Sequence, residues 1–277
     1  MAKKKSPETT QNSGSEPSVA TPVATVASAV ESSEMNITSD VPKYEACHYI
    51  GLFGPPKVGK TLAAAALPEA VFICTEEGLK TAYVHGLSPS RVGKTIETYP
   101  DFVAALALCR NATARFVIVD TVDGIEGILV KEVCRRGEKK SLSEFPHGRG
   151  YAALEDMAVW FVDQLRSLGK SVVLIGHTKI VTVNEPNTDS YDRYQPSLDK
   201  RVWERIKRFL DAILFAHQEV FVRDGKRAIE GERVIETQYS PAWEAGTRFN
   251  WPKQLPLDGK VLAKQIIDTI DNDFISL

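Results

Sequence analysis

From Tyr44 onward the chain alternates short, nearly continuous apolar runs with longer stretches in which apolar residues recur at helical spacing. His48–Phe53 (HYIGLF), Ala70–Gly78 (AVFICTEEG), Arg115–Thr121 (RFVIVDT), Ser171–Thr178 (SVVLIGHT) and Ala212–His217 (AILFAH) have the form of buried strands, four of them with acids or a histidine at or near their carboxyl ends. Leu62–Leu67 (LAAAAL), Asp101–Arg110 (DFVAALALCR) and Tyr151–Gly169 have helical patterns. In the last, Leu154, Ala158, Phe161, Leu165 and Leu168 make one stripe and Gly169 is its stop. Strands alternating with helices predict an α/β fold around a mainly parallel sheet.

Beyond His217 the period falls to two. The stretch EVFVRDGKRAIEGERVIETQ alternates around Asp224-Gly225, which predicts antiparallel hairpins. The final LAKQIIDTIDNDFISL has helical spacing at Leu262, Ile266 and Ile270, so residues 260–277 are expected to be a docked helix with a short tail. Residues 1–40, rich in Ser, Thr, Pro, Ala and Glu, have too little apolar surface to offset the entropy of ordering and predict a disordered tail. The folded domain is thus expected over 41–259.

Composition narrows the class. A chain of 277 residues can bury a substantial core, and its formal charge of −2 gives no chain-wide bias toward nucleic acid, so any basic site must be local. Cys47, Cys74, Cys109 and Cys134 show no metal-binding spacing and read as reduced thiols of a cytoplasmic protein. The basic opening MAKKK is followed by no apolar run of signal-peptide type, and no segment is long and apolar enough to suggest a membrane span.

The candidate chemistry begins at Gly54. Gly54–Thr61 reads G-x-x-x-x-G-K-T between a strand and a helix, the context in which a glycine-rich turn aims backbone N–H groups at phosphate. Gly54, Pro55, Pro56, Lys57, Val58, Gly59, Lys60, Thr61 and Leu62 would form the nucleotide cradle. Lys60 would reach the outer phosphates and the Thr61 hydroxyl would meet Mg²⁺.

Ligands of open α/β sheets bind at the carboxyl ends of the strands, where three more residues stand. Asp120 closes FVIVD as a second Mg²⁺ group, with a helix cap as its competing role. Glu76 follows FICT and is the candidate base for an attacking water, with helix capping the alternative for it and Glu77. His177 closes VVLIG as a candidate sensor of the outer phosphate or a plain structural histidine.

GPPKVGKT, FICTEEGL, FVIVDT and SVVLIGHT, in this order and at these intervals, resemble the RecA-like P-loop ATPases. They are most similar to the small phage-encoded RecA/RadA-type proteins implicated in single-strand annealing and recombination. The resemblance spans Tyr44 to Gly259. It implies ATP and Mg²⁺ as cofactors, Glu76 as catalytic glutamate, Asp120 as the Walker B acid and His177 as the polar sensor. AGTRFNWP (Ala245–Pro252) is similar to the RadA-type K-N-R-F-G motif, with Gly246 in place of the lysine and Asn250 in place of the final glycine. It offers Arg248 to stabilise transition-state charge, on its own or a neighbouring subunit's nucleotide, or as a surface ion pair.

The resemblance further implies DNA on two loops. Cys134–Gly150 carries Arg135, Arg136, Lys139, Lys140 and Arg149, suited to phosphate contact or to plain solvation. Lys179–Arg201 is long, with Tyr191 and Tyr194 flanking Arg193 in an order suited to base stacking. The implied partners are single-stranded DNA, a single-strand-binding protein and further copies of this chain. A small-molecule P-loop kinase and a nucleotide-dependent switch with little turnover are the competing classes.

Overall fold

The computed structural model describes residues 47–223 and 227–272. The expected tail over 1–40, the Asp224-Gly225 turn and the chain's last five residues lie outside the described residues.

Strand β1 (Tyr49–Gly54) leads into the glycine-rich turn and the short helix α1 (Lys60–Ala64), which stops before Pro68. Then follow β2 (Ala70–Cys74), α2 (Lys80–Val84), β3 (Ser90–Arg91), α3 (Tyr99–Asn111), β4 (Phe116–Asp120), α4 (Val122–Arg136) and α5 (Arg149–Arg166). The second half holds β5 (Ser171–Val183), β6 (Tyr191–Pro196), α6 (Lys200–Phe209), β7 (Ala212–Arg223), β8 (Arg227–Glu236), β9 (Gly246–Thr247), β10 (Gln254–Pro256) and α7 (Gly259–Asn272). Local chemistry fixes several starts: Thr98, Thr121 and Asp199 accept N–H bonds as the caps of α3, α4 and α6.

The strands join in one sheet in the order β10-β8-β7-β1-β5-β4-β2-β3, with β6 paired to β5 and β9 to β7. The centre, from β7 through β1, β5, β4 and β2 to β3, is parallel, and β8, β9 and β10 add antiparallel strands. The helix-flanked, mainly parallel sheet that the sequence predicts is therefore the architecture found, with antiparallel strands in the C-terminal part.

The period-2 alternation of a strand sends consecutive side chains to two separate cores. Val117, Val119, Val172 and Leu174 pack with Phe102, Ile125, Leu154, Phe161 and Ile206 on the α3–α6 side. Phe116, Ile118, Val173 and Ile175 pack with Ala64, Ala82, Leu262 and Ile266 on the side of α1, α2 and α7. Burial on both faces is why these strands read as unbroken apolar runs rather than as alternation.

Two expectations change. Residues 179–201 are not a long loop: β5 continues to Val183 and turns back as β6, with Ile180 opposite Tyr194 and Val181 opposite Arg193. The basic segment 134–150 is only partly a loop, because Cys134–Arg136 finish α4 and Arg149–Gly150 begin α5, with two turns of 3-10 helix between them.

Candidate nucleotide site

The register of the parallel strands brings the expected residues to one edge. Gly54 pairs with His177, Ile175 with Asp120, and Asp120 with Cys74, two residues before Glu76. A cleft of about 450 Å³ opens there, lined among others by Lys57, Lys60, Thr61, Glu76, Asp120 and His177.

The turn depends on its glycines. A Cβ on Gly54 would stand 2.0 Å from the Ala216 carbonyl oxygen of β7, so only glycine allows β1 and β7 to approach there. Gly59 has φ +122°, a conformation that side chains disfavour. Within this turn the buried Lys60 donates from Nζ to the carbonyls of Gly54 (2.9 Å) and Pro55 (2.8 Å). Burial lowers its pKa to about 8, against the opposing pull of Asp120, Asp123 and Glu76. Among the described residues it forms no salt bridge, so it is a desolvated cation suited to an arriving anion.

Thr61 Oγ1 donates to Asp120 Oδ2 at 2.9 Å. Burial, and next the charge of Glu76, raise the Asp120 pKa to about 6 against the Thr61 hydrogen bond and Lys60. A hydroxyl beside a buried carboxylate is an oxygen donor set of the kind Mg²⁺ takes together with phosphate and water, so the residues fit the ion that the P-loop implies. Asp120 is not a helix cap; Thr121 holds that position, accepting from Gly124 N.

Thr121 also donates to Glu76 Oε1 at 3.2 Å, while its own N–H donates to Thr75 Oγ1 at 2.9 Å. His177 Nδ1 lies 2.8 Å from Asp123 Oδ2, and the His177 N–H donates to Asp123 Oδ1 at 3.0 Å. The hydrogen bond to Asp123 raises the His177 pKa against the effect of burial. Burial acts to raise the Asp123 pKa, but the bonds from the His177 ring and backbone outweigh it and leave it lowered. One turn on, Glu126 accepts from the N–H of Asp199 at 2.7 Å, and burial pushes its pKa to about 7.

The sequence reading missed Thr121, Asp123 and Glu126. The acids of DTVDGIE follow Asp120 at helical spacing, a local signal, but their partners lie 54 and 73 positions away.

Arg248 is not brought to this cleft. Its Nη1 donates to Asp211 Oδ1 at 2.9 Å, and the other carboxylate oxygen of Asp211 accepts from the N–H of Tyr49, where β1 begins. The P-loop starts five residues later, roughly 17 Å along an extended strand. The placement corrects the expectation that Arg248 could serve the nucleotide of its own chain.

The basic positions also divide. Arg135 and Arg136 fold back onto Glu132, with bonds of 2.7 Å to its nearly buried carboxylate, and Arg136 lies over the Tyr99 ring. Lys139, Lys140 and Arg149 are exposed. In the hairpin, Arg193 is buried between the rings of Tyr191 and Tyr239, while Tyr194 stacks on Phe215 at 5.1 Å and stays partly exposed. A basic surface that the sequence reading passed over lies on α6, where Lys200, Arg201 and Arg208 are exposed.

A glycine-rich phosphate turn, a Thr–Asp pair and a glutamate on the carboxyl edge of a parallel sheet define a P-loop nucleotide-binding protein. Residues 48–249 match the AAA domain family, and the chain belongs to that family. A search of curated proteins finds no match. Among solved structures, the KaiC-like protein PH0186 from the hyperthermophilic archaeon Pyrococcus horikoshii OT3 is similar at 11% identity, over 76% of this chain and 84% of its own, with a TM-score of 0.42. Among the described residues no helix is long and apolar enough to cross a membrane.

Proposed function

We propose that the protein is a Mg²⁺-dependent ATPase that couples hydrolysis to single-stranded DNA and works as an oligomer in phage recombination or replication. The observation that carries the hydrolytic part is the grouping of Lys60, Thr61, Asp120 and Glu76 around one cleft. The P-loop N–H groups and Lys60 hold the phosphates, and Thr61 and Asp120 hold the ion. Bound Mg²⁺ supplies charge neutralisation on the phosphate oxygens.

Glu76 stands on the cleft wall, oriented by Thr121, and takes a proton from water as its oxygen bonds to the γ-phosphorus and the bond to the β–γ bridging oxygen breaks. His177, braced by Asp123, is the candidate sensor of that phosphate. The DNA part draws on the resemblance to RecA/RadA-type proteins and on the exposed Lys139, Lys140 and Arg149.

Phosphate release from ATP by the wild type and Lys60→Ala, each with and without single-stranded DNA across a salt series, tests this reading. Turnover that rises with DNA, weakens with salt and disappears in the variant supports it. Turnover indifferent to DNA removes the coupling, and phosphate found on an added small molecule instead of in solution would replace hydrolysis with kinase chemistry.

A further inference from the structure

Beside the Thr61–Asp120 pair, a second set of donors converges. One ligand atom each from Glu76, Asp123 and His177 lie within 4.8 Å of one another. His177 Nδ1 and Asp123 Oδ2 are 2.8 Å apart. For metal–ligand bonds of about 2.1 Å, neighbouring ligands of an octahedron stand about 3 Å apart and opposite ones about 4.2 Å. His177 Nδ1 and Asp123 Oδ2 are therefore spaced as adjacent ligands of one ion, and Glu76, within 4.8 Å of both, joins them after a small side-chain shift.

The donor types point to the kind of ion. An imidazole with two carboxylates suits Mn²⁺, Fe²⁺, Co²⁺ or Zn²⁺, whereas Mg²⁺ prefers oxygen alone. The supports are also of the right sort: Glu76 follows the end of β2, Asp123 lies in the first turn of α4, and His177 is held within β5. Two of the three are fixed to each other by the bond from His177 N–H to Asp123 Oδ1. Both Glu76 and His177 line the open cleft, which gives an ion access.

We propose that Glu76, Asp123 and His177 form a site for one transition-metal dication, separate from the Mg²⁺ position at Thr61 and Asp120 and able to fill without nucleotide. The ion displaces the proton shared by Nδ1 and Oδ2, which is released to solvent or moves to Nε2, and binds both atoms from beside the line that joins them. On the ATPase reading, and only there, a further consequence follows: an ion on Glu76 withdraws the base, so occupancy by Zn²⁺ slows hydrolysis and a chelator restores it.

The test titrates nucleotide-free, full-length protein with Co²⁺ and reads its visible absorption, which shifts and intensifies when protein ligands replace water. About one Co²⁺ per chain is expected, with binding at least about tenfold weaker in His177→Gln and in Asp123→Asn, and not weakened in Lys60→Ala, which removes a nearby positive charge but no ligand. A spectrum that stays that of aqueous Co²⁺, or equal binding by His177→Gln and wild type, overturns the site and leaves a hydrogen-bonded pair only. Thermal melts check that the variants are folded; should Asp123→Asn not fold, His177→Gln decides. The same preparations are assayed for Mg²⁺-dependent binding of a fluorescent ATP analogue. Nucleotide without Co²⁺ binding sinks the metal site alone, and Co²⁺ without nucleotide binding sinks the nucleotide reading alone.

Discussion

Asp120 is a carboxylate placed where ionisation is costly. Its rise from the ordinary 3.8 to about 6, caused first by burial, corresponds to about 3 kcal/mol against the charged form. The sign follows from linkage: with the folded pKa above the unfolded one, this contribution to stability is full below about pH 4 and is lost as pH rises through about 6. At neutral pH the nucleotide-free protein therefore carries the penalty that a bound cation relieves. Asp120→Asn should raise the melting temperature at pH 7 without Mg²⁺, change it little near pH 4, and abolish Mg²⁺-dependent nucleotide binding. Melting curves at the two pH values, with and without Mg²⁺·ATP, check all three. A lower melting point at pH 7 would show that the charge is already compensated. Glu76 has a different task, so Glu76→Gln should keep nucleotide affinity within a few-fold while turnover falls about 10²-fold or more. Equilibrium binding and single-turnover hydrolysis on one preparation separate the two effects, and normal turnover would remove Glu76 as the base.

At the scale of elements, the hairpin β5–β6 is the part whose order rests on few groups. Arg193 reaches the Pro241 carbonyl, Glu185, and the hydroxyls of Tyr191 and Tyr239, tying β6 both to its own turn and to the segment after β8. Arg193→Ala should leave these acceptors without their shared donor and speed amide exchange across Thr178–Val183 while sparing Phe116–Asp120. Hydrogen exchange followed by mass spectrometry reads the contrast, and uniform protection in both strands would show that the ladder holds without the clamp. The hairpin also shows what could be read in advance. The central strands were legible because burial on both faces leaves an unbroken apolar run, as in FVIVD and VVLIG. The extension of β5 was not, since Lys179–Val183 mixes polar and apolar residues around turn-forming Asn and Pro. Helix α6 did carry its signal in Val202, Trp203, Ile206 and Phe209, all buried, but these are interspersed with charged residues, and the sequence reading assigned no element there. The cleft was legible through Lys60, Thr61 and Asp120, which sit in local motifs. The Asp123–His177 and Glu126–Asp199 bonds depend on strand order, which no local pattern encodes.

For the whole molecule, the position of Arg248 has the largest consequence. It is anchored by Asp211 at the amino end of β1 and β7, whereas the P-loop lies at the carboxyl end of β1. A strand's length of packed core separates the two, so a charge-stabilising role for Arg248 requires a second copy stacked head to tail, amino edge toward carboxyl edge. Such a heterologous contact repeats into a ring or filament, and each site then draws Lys60 from one copy and Arg248 from the next. That arrangement makes a complementation test decisive. On the proposed DNA-coupled ATPase reading with Arg248 acting in trans, Lys60→Ala and Arg248→Ala should each abolish hydrolysis alone, because every interface in either assembly lacks one group. Mixed in equal amounts before assembly, they should recover about a quarter of wild-type turnover, since one interface in four joins an intact Lys60 to an intact Arg248 under random head-to-tail mixing. Recovery near zero with mixed assemblies verified by light scattering would confine Arg248 to its ion pair with Asp211. Wild-type turnover by Arg248→Ala alone would do the same by a shorter route. Exchange kinetics add a further check: if copies swap slowly, preformed homo-assemblies stay inactive on mixing, and activity appears only when the variants are combined before nucleotide and DNA are added.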